Sequence, residues 1–341
     1  MSTPSFQTRQ RGAALIVALM VFALCAALLV SIEKEGQLFY QRMANTFIGS
    51  QTYAYLLGAE QLAFNLLKLD NELDAESENP KDTLLEVWAD TSPPYPLDGG
   101  GYLLGQLLDL EGRFNLNWLA GREAAGEGAG SLTLEQRIFV RLLLTLRNED
   151  GPLMDRFQAI AIVNAIGDWI DGDAMPRPQG AEDLQYQSKQ PPYRTANQLM
   201  QSPSELMAVE GMTWSVYQQL APLVTIWPDD GTKINIHTMP RQLLQALPGG
   251  QDLDPKTEAD ADSLMDLREQ MGFASIDEFL ADPYFQENDA AQLREILTEQ
   301  SNTFLLQAEA SIANRPQRLY SVISRKGGQM TVLRRTQGST L

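Results

Sequence analysis

The sequence of 341 residues has few of the side chains from which most catalytic and zinc sites are built, because it contains one cysteine, Cys25, and one histidine, His237. A single cysteine excludes an internal disulfide framework and a metal site made of thiolates. The chain must therefore be stabilised by its hydrophobic core, or by a metal ion bound through oxygen atoms.

The motifs of common catalytic sites are also missing. The chain contains no G-x-S-x-G nucleophile elbow, no H-E-x-x-H zinc motif and no P-loop. A carboxylate pair can act as general acid and base, but no nucleophile motif accompanies one here. His237 follows Ile234-Asn235-Ile236, and we expect it to start a helix and to cap it or pack. We therefore predict that the protein is not an enzyme.

Basic residues are scarce, since 26 Lys and Arg stand against 44 Asp and Glu, for a formal net charge of −18. Such a surface repels phosphate backbones, which argues against nucleic acid as a ligand. The same charge is compatible with bound Ca²⁺ and with basic partner surfaces.

One long apolar run stands near the N-terminus. It extends from Ala13 to Ile32 without a charged residue, and about 20 residues is the length that crosses a bilayer as a helix. Arg9 and Arg11 precede the run, and basic residues stay on the cytoplasmic side. We predict a single-pass transmembrane helix over residues 13–32, with a cytoplasmic N-terminus and the bulk of the chain outside.

Residues 1–12 resemble the leader of type IV prepilins and pseudopilins, in which a short basic segment ends in a glycine before a retained apolar helix. The resemblance implies that a prepilin peptidase cuts between Gly12 and Ala13 and methylates the new amine of Ala13. A secretory signal fits less well, because no small-residue cleavage site stands cleanly before Glu33. A generic membrane anchor is the alternative.

The fifth residue after this cleavage site is Val17, where most pilins carry a glutamate. In the family, that glutamate is thought to pair with the N-terminal amine of the neighbouring subunit, which offsets the cost of a charge in lipid. A subunit without it fits best at the end of a filament.

The apolar helix is predicted to continue beyond the membrane. No proline occurs from Ser5 to Asn79, and apolar residues recur at helical spacing. We predict a helix from Ala13 to about Leu69, and the sequence leaves open a break near Gly36 or Gly49.

The rest of the chain divides into strands, helices and strands again. Strands are predicted over 102–110, 114–117 and 303–312, with a hairpin of 318–325 and 329–335. Helices are predicted at 84–89, from Thr133, over 157–168, and in two hairpins, 204–220 and 242–280. A Gly/Ala linker is predicted from 120 to 130.

This order predicts an α+β fold in which a long N-terminal helix packs on a small antiparallel sheet, with a large all-α insertion. The predicted α+β domain comprises residues 33–119 and 301–341, and the insertion comprises residues 120–300. The two ends of the insertion are expected side by side, at about Ala120 and Gln300.

An acidic loop carries the clearest chemical signal. Five carboxylates fall within residues 168–183: Asp168, Asp171, Asp173, Glu182 and Asp183. They would repel one another without a cation, and Ca²⁺ takes six to eight oxygen ligands in irregular geometry. Pro176 stands where an EF-hand needs glycine, so the loop is not an EF-hand. We predict that it binds calcium; a solvated acidic loop with a capped helix end is the alternative.

Several short segments together resemble one family, the minor pseudopilin K of type II secretion systems. They are residues 11–16 (RGAALI), 112–117 (GRFNLN), 168–173 (DWIDGD), 180–186 (GAEDLQY), 204–206 (SEL) and 234–238 (INIHT). The resemblance implies a pseudopilin fold with a helical insertion and calcium sites, in a complex with minor pseudopilins I and J at the pseudopilus tip. The chain departs from the family pattern at His237, where asparagine is usual, and at Met239, where a small residue is usual.

From this resemblance we expect an inner-membrane protein with a periplasmic domain that initiates and caps pseudopilus assembly for protein export across the outer membrane. Secreted substrates are further candidate partners. An inner-membrane-anchored periplasmic calcium-binding protein is the alternative, and so is a binding protein of the helix-hairpin-helix, DNA-uptake type, which residues 234–249 also resemble. The acidic segment 252–262 argues against DNA binding.

Overall fold

A computed structural model describes residues 13–91, 93–97, 100–121, 132–229, 233–270, 272–285 and 287–338. The predicted leader, with Gly12, and most of the predicted Gly/Ala linker at 120–130 lie outside these residues. The helices are α1 (Ala13–Glu76), α2 (Leu134–Leu144), α3 (Arg156–Ile170), α4 (Asp183–Gln187), α5 (Trp214–Leu220), α6 (Arg241–Ala246), α7 (Glu258–Gln270), α8 (Ile276–Ala281) and α9 (Glu287–Ile296). The strands are β1 (Tyr95–Pro96), β2 (Tyr102–Asp109), β3 (Phe114–Asn115), β4 (Arg147–Asn148), β5 (Gly151–Pro152), β6 (Val224–Thr225), β7 (Ile234–Asn235), β8 (Leu297–Thr298), β9 (Thr303–Ile312), β10 (Arg315–Ser324) and β11 (Thr331–Gln337).

The long helix α1 is continuous over 64 residues, which corresponds to about 96 Å at 1.5 Å per residue. It passes Gly36 and Gly49 without a break, so the predicted long helix is confirmed and ends seven residues later than expected, at Glu76 rather than Leu69. Its first part is exposed, and α1 is the helix of the described residues that is long and apolar enough to cross a membrane.

The second half of α1 packs on a five-stranded antiparallel sheet of order β1-β2-β9-β10-β11. Leu56, Ala63 and Leu67 recur at helical spacing and are buried against Phe304 of the sheet. The predicted strand at 102–110, the strand at 303–312 and the final hairpin are confirmed. The predicted mixed α and β architecture, with its long N-terminal helix, is therefore confirmed.

Strands β2 and β9 are neighbours in the sheet, with Leu107 opposite Leu306. The segment between them, residues 110–302, contains helices α2 to α9 and has a hydrophobic core of its own, around Phe139, Ile166 and Leu243. It also contains the short strands β3 to β8, so the insertion predicted to be all-α is mainly helical and not all-α. Helix α2 is predicted from Thr133, and Thr133 is its N-cap in a capping box, in which Thr133 Oγ1 accepts from the Gln136 N–H at 3.3 Å.

Two local predictions were wrong, and a third was confirmed only in part. Residues 84–89 form successive turns and not a helix, because Trp88 is buried against Phe304 and donates to Glu86 Oε2 at 2.7 Å. The predicted strand 114–117 is shorter, since a 3₁₀ helix begins at Leu116. His237 lies in a turn and does not start α6, because its N–H donates to Asn235 Oδ1 at 2.9 Å.

The predicted boundaries of the inserted domain stay a prediction. Strand β3 pairs in parallel with β6, so residues 114–115 contact the helical part of the chain. The Leu110 N–H donates to the Thr303 carbonyl at 3.0 Å, and the Asn302 N–H donates to Glu111 Oε1 at 2.8 Å. The two strand ends thus lie side by side near residues 110 and 302.

Candidate metal centre

The acidic loop connects α3 to α4. Helix α3 ends at Ile170 because Asp171 adopts an extended backbone, while the Asp171 N–H still donates to the Gly167 carbonyl at 3.0 Å. The chain then runs through Gly172 to Asp173 and returns to the start of α4 at Asp183. The loop therefore brings carboxylates from a helix end, a turn and a helix start toward one another.

Arg177 determines how the loop folds back on α3. Its guanidinium donates to the carbonyls of Leu119 and Ala120, each at 3.1 Å, and to Asp171 Oδ2 at 3.2 Å. Its backbone N–H donates to Asp168 Oδ2 at 3.1 Å. A buried arginine thus joins the loop to the segment before α2 and balances part of the negative charge at the end of α3.

Two glycines permit this close approach. A Cβ atom at Gly167 would overlap the guanidinium of Arg177, and a Cβ atom at Gly180 would lie 2.0 Å from Asp168 Oδ2. Neither glycine has a left-handed backbone conformation. The lack of room for a Cβ atom is therefore the reason that glycine is needed at both positions.

Three of the predicted ligands converge. One carboxylate oxygen each from Asp171, Asp173 and Glu182 lies within 4.8 Å of the others. Glu182 is 4% exposed, and neither of its carboxylate oxygens accepts a hydrogen bond of ordinary geometry from the described residues. Backbone N–H groups at the start of α4 face this carboxylate and offset only part of the cost of burying its charge, which a cation would compensate for.

The electrostatics of the loop favour the same conclusion. Burial raises the pKa of Glu182, and the charges of Asp168, Asp171 and Asp173 raise it further. Burial also raises the pKa of Asp168 to about 6, although Arg177 acts in the opposite direction. Since these ligands are oxygens and no thiol or imidazole is nearby, the donor set fits a hard divalent cation such as Ca²⁺.

The other two predicted ligands lie with different partners. The two Asp168 oxygens accept from the Arg177 N–H, and its Oδ1 lies 3.6 Å from Arg177 Nε. Asp183 Oδ1 accepts from both the N–H and the hydroxyl of Thr195, at 3.1 and 2.9 Å. The structure therefore brings Asp171, Asp173 and Glu182 together and does not bring Asp168 and Asp183 into that group.

Of the predicted processing pair, Gly12 lies outside the described residues. Ala13 is the first residue of α1.

A second acidic group consists of Asp70, Asp82 and Glu86. It differs from the loop because a buried arginine, Arg325, binds two of its members directly. Sequence reasoning missed this group, since its residues lie far from Arg325 along the chain.

Comparisons with known proteins agree with this architecture. Two sequence models described as type II secretion system (T2SS), protein K, match residues 112–229 and 234–298. The type II secretion system protein K of Klebsiella pneumoniae is 31% identical over 97% of this chain and 97% of its own length. That of Aeromonas hydrophila is 32% identical over 97% of this chain and 98% of its own length.

The solved structures contain a similar chain. It belongs to the crystal structure of the GspK-GspI-GspJ complex from the enterotoxigenic Escherichia coli type 2 secretion system. The match covers 88% of this chain and 100% of the other, with a TM-score of 0.72 and 28% identity.

The fold therefore defines a protein of mixed α and β structure with one candidate membrane anchor, of the pseudopilin class. The chain belongs to the type II secretion system protein K family. That family is a structural component of the secretion system.

Proposed function

We propose that this chain is a minor pseudopilin at the tip of the type II secretion pseudopilus, where it helps to initiate and cap assembly for protein export across the outer membrane. The observation that carries the proposal is the fold match over 88% of the chain to GspK from a complex with GspI and GspJ. By analogy, this chain binds the I and J minor pseudopilins of its own system.

The long helix supports a position at the filament end. Pilin-like subunits assemble through their N-terminal helices, and α1 exposes an uncharged surface from Ala13 to Ile32. Val17 stands where a filament subunit has the glutamate that contacts its neighbour. A subunit without that charge makes no such contact on that side, so it terminates the stack.

The helical segment 110–302 supports the capping role. It is inserted between adjacent strands of the sheet, in an arrangement that we interpret as a pseudopilin fold with a large, mainly helical insertion. A globular part of this size beside the filament axis leaves no room for a further subunit above it.

The proposal includes processing and location. A prepilin peptidase cuts after Gly12 and methylates Ala13, and α1 then anchors the protein in the inner membrane with the globular part in the periplasm. Positive charge at Arg9 and Arg11 supports this orientation. Secreted proteins that meet the tip are further candidate partners.

The proposal also includes a calcium ion held by Asp171, Asp173 and Glu182. When bound, the ion supplies positive charge to three converging carboxylates. These residues would then clamp the end of α3 to the start of α4, because they come from both sides of the loop. The buried Glu182 carboxylate, whose oxygens accept no hydrogen bond of ordinary geometry from the described residues, is the observation that supports a cation there.

The test is co-expression of the full chain with its I and J counterparts, with and without the prepilin peptidase. We expect an N-terminus at Ala13 only when the peptidase is present, and co-purification of all three pseudopilins after detergent extraction. A chain that keeps Met1 in both cases and purifies alone would overturn the proposal. It would leave an anchored calcium-binding protein as the alternative.

A further inference from the structure

A cavity of about 260 Å³ lies between residues 81–85 and the C-terminal end of α7, and none of the metal-centre residues lines it. Its lining includes Lys81, Leu84, Leu85, His237, Arg268 and Glu269. The cavity therefore combines two cations, one imidazole, one carboxylate and an apolar rim.

The imidazole of His237 contributes an unused polar group. The side chain is 2% exposed, and neither Nδ1 nor Nε2 has a hydrogen-bond partner among the described residues. A neutral imidazole carries one N–H donor and one acceptor, and a buried donor left unpaired is unfavourable. The ring packs near Phe273, with centroids 6.1 Å apart, and lines the cavity.

Carbonyl groups accept from the two cations, and the charge of Glu269 also acts on Arg268. Lys81 Nζ donates to the Phe273 carbonyl at 3.3 Å, and Arg268 Nη1 donates to the Met239 carbonyl at 2.6 Å. Within the described part of the chain, neither forms an ion pair. Glu269 lines the same cavity, but its single charge leaves the lining net positive. A net positive cavity in a chain of net charge −18 is a local exception that favours an anion.

The state of the imidazole agrees with this assignment. Burial lowers the pKa of His237 to about 4, and the charges of Lys81 and Arg268 contribute to the decrease. The ring is therefore neutral near pH 7, with one N–H available. Lys81 and Arg268 lie close enough to His237 to lower its pKa, and all three side chains line the same cavity.

Apolar side chains stand at the mouth of the cavity. Leu84 and Leu85 are large, exposed and part of the lining. We propose that this cavity binds a carboxylate attached to a short apolar body. The carboxylate oxygens accept from His237, Lys81 and Arg268, while the apolar body contacts Leu84 and Leu85.

Two sources offer this chemistry. One is a free aliphatic carboxylic acid, and the other is the C-terminal carboxylate of a polypeptide that ends in an apolar residue. The site does not depend on pilus assembly, so it can be tested on the isolated full chain.

The experiment is isothermal titration calorimetry of the full chain in detergent micelles. The probes are hexanoate against hexanamide, and N-acetyl-leucine against N-acetyl-leucinamide. We expect the carboxylates to bind at least about tenfold more tightly than the amides, because only they carry the charge that the cations recognise. Tighter binding of hexanoate identifies the free acid as the source, and tighter binding of N-acetyl-leucine identifies a chain terminus.

The variants Lys81→Gln and His237→Asn should each weaken carboxylate binding about tenfold. Lys68→Gln is the matched control, because Lys68 is an exposed lysine of α1 that pairs with Glu72, and it should leave binding unchanged. Circular dichroism identifies any variant that fails to fold, and the other variant then decides the outcome. No heat from either carboxylate up to about 10 mM, or equal affinity in a folded variant, would overturn the proposal.

Discussion

Arg325 Nη1 lies 2.6 Å from Asp70 Oδ2, and this buried ion pair joins the end of β10 to the end of the long helix. The same guanidinium donates to both carboxylate oxygens of Asp82, and its Nε donates to the Ser301 carbonyl at 2.8 Å. The Arg325 side chain therefore connects α1, the segment that follows α1 and the residues just before β9.

Replacing this arginine should destabilise the whole protein. In Arg325→Met, Asp70 and Asp82 remain buried without their cation, and breaking a buried pair costs about 3–5 kcal/mol. The free energy of unfolding from urea titration should fall by this amount. Arg318→Met is the control, since Arg318 pairs with Glu309 at the surface and should show only a small fraction of the loss. Equal losses of unfolding free energy in both variants would show that the buried contacts of Arg325 stabilise the protein no more than a surface ion pair does.

Calcium should raise the melting temperature of the full chain. A ligand that binds only the folded state at about 100 times its Kd adds about 2.7 kcal/mol. Glu182→Gln should abolish this gain, and it should also stabilise the protein in chelator, because it removes one of three mutually repelling carboxylates. Asp90→Asn, an exposed position, is the control and should keep the full calcium response. A melting temperature that does not change when calcium is added would contradict the predicted site.

Gly180 and Gly172 of the acidic loop allow a matched pair of substitutions to alanine. In Gly180→Ala the new Cβ would lie 2.0 Å from Asp168 Oδ2, so the loop or the Asp168–Arg177 contact must shift. We expect a loss of about 1–3 kcal/mol. In Gly172→Ala the new Cβ meets nothing within 4 Å, so stability should hardly change. Urea unfolding in chelator separates the two, and equal stability of both variants would contradict the close packing at Gly180.

Much of the fold could be predicted because its signals are local. The absence of proline and the apolar periodicity were sufficient to predict α1, and alternation with turn residues predicted β9 and the final hairpin. The helix expected at 84–89 failed for a tertiary reason. Burial of Trp88 against Phe304, which is remote in sequence, overrides the local preference.

The candidate site was only partly predictable for the same reason. The clustering of acidic residues in the sequence predicted a metal-binding loop, but their spacing along the chain does not show which carboxylates face each other. Arg177 binds Asp168 and fixes the loop through carbonyls at Leu119 and Ala120, and Thr195 engages Asp183. The sequence signal for this arrangement is Arg177, a basic residue inside an acidic run.

His237 should make the protein more sensitive to acid. Burial, and then the charges of Lys81 and Arg268, lower its pKa from 6.5 to about 4. Between these two pH values the unfolded chain binds a proton that the folded chain does not, so the free energy of unfolding falls as the pH decreases from about 6.5 to about 4.

The expected contribution of His237 is about 3 kcal/mol at pH 4. His237→Asn should remove it, so the variant should lose less stability than the unchanged chain when urea unfolding is compared at pH 7 and pH 4. Carboxyl groups with raised pKa values, such as Glu111, change stability in the opposite direction but are common to both proteins. The difference between the two pH profiles therefore isolates the imidazole. Parallel profiles would mean that His237 gains its proton as easily in the folded protein as in the unfolded chain, contrary to its burial beside two cations.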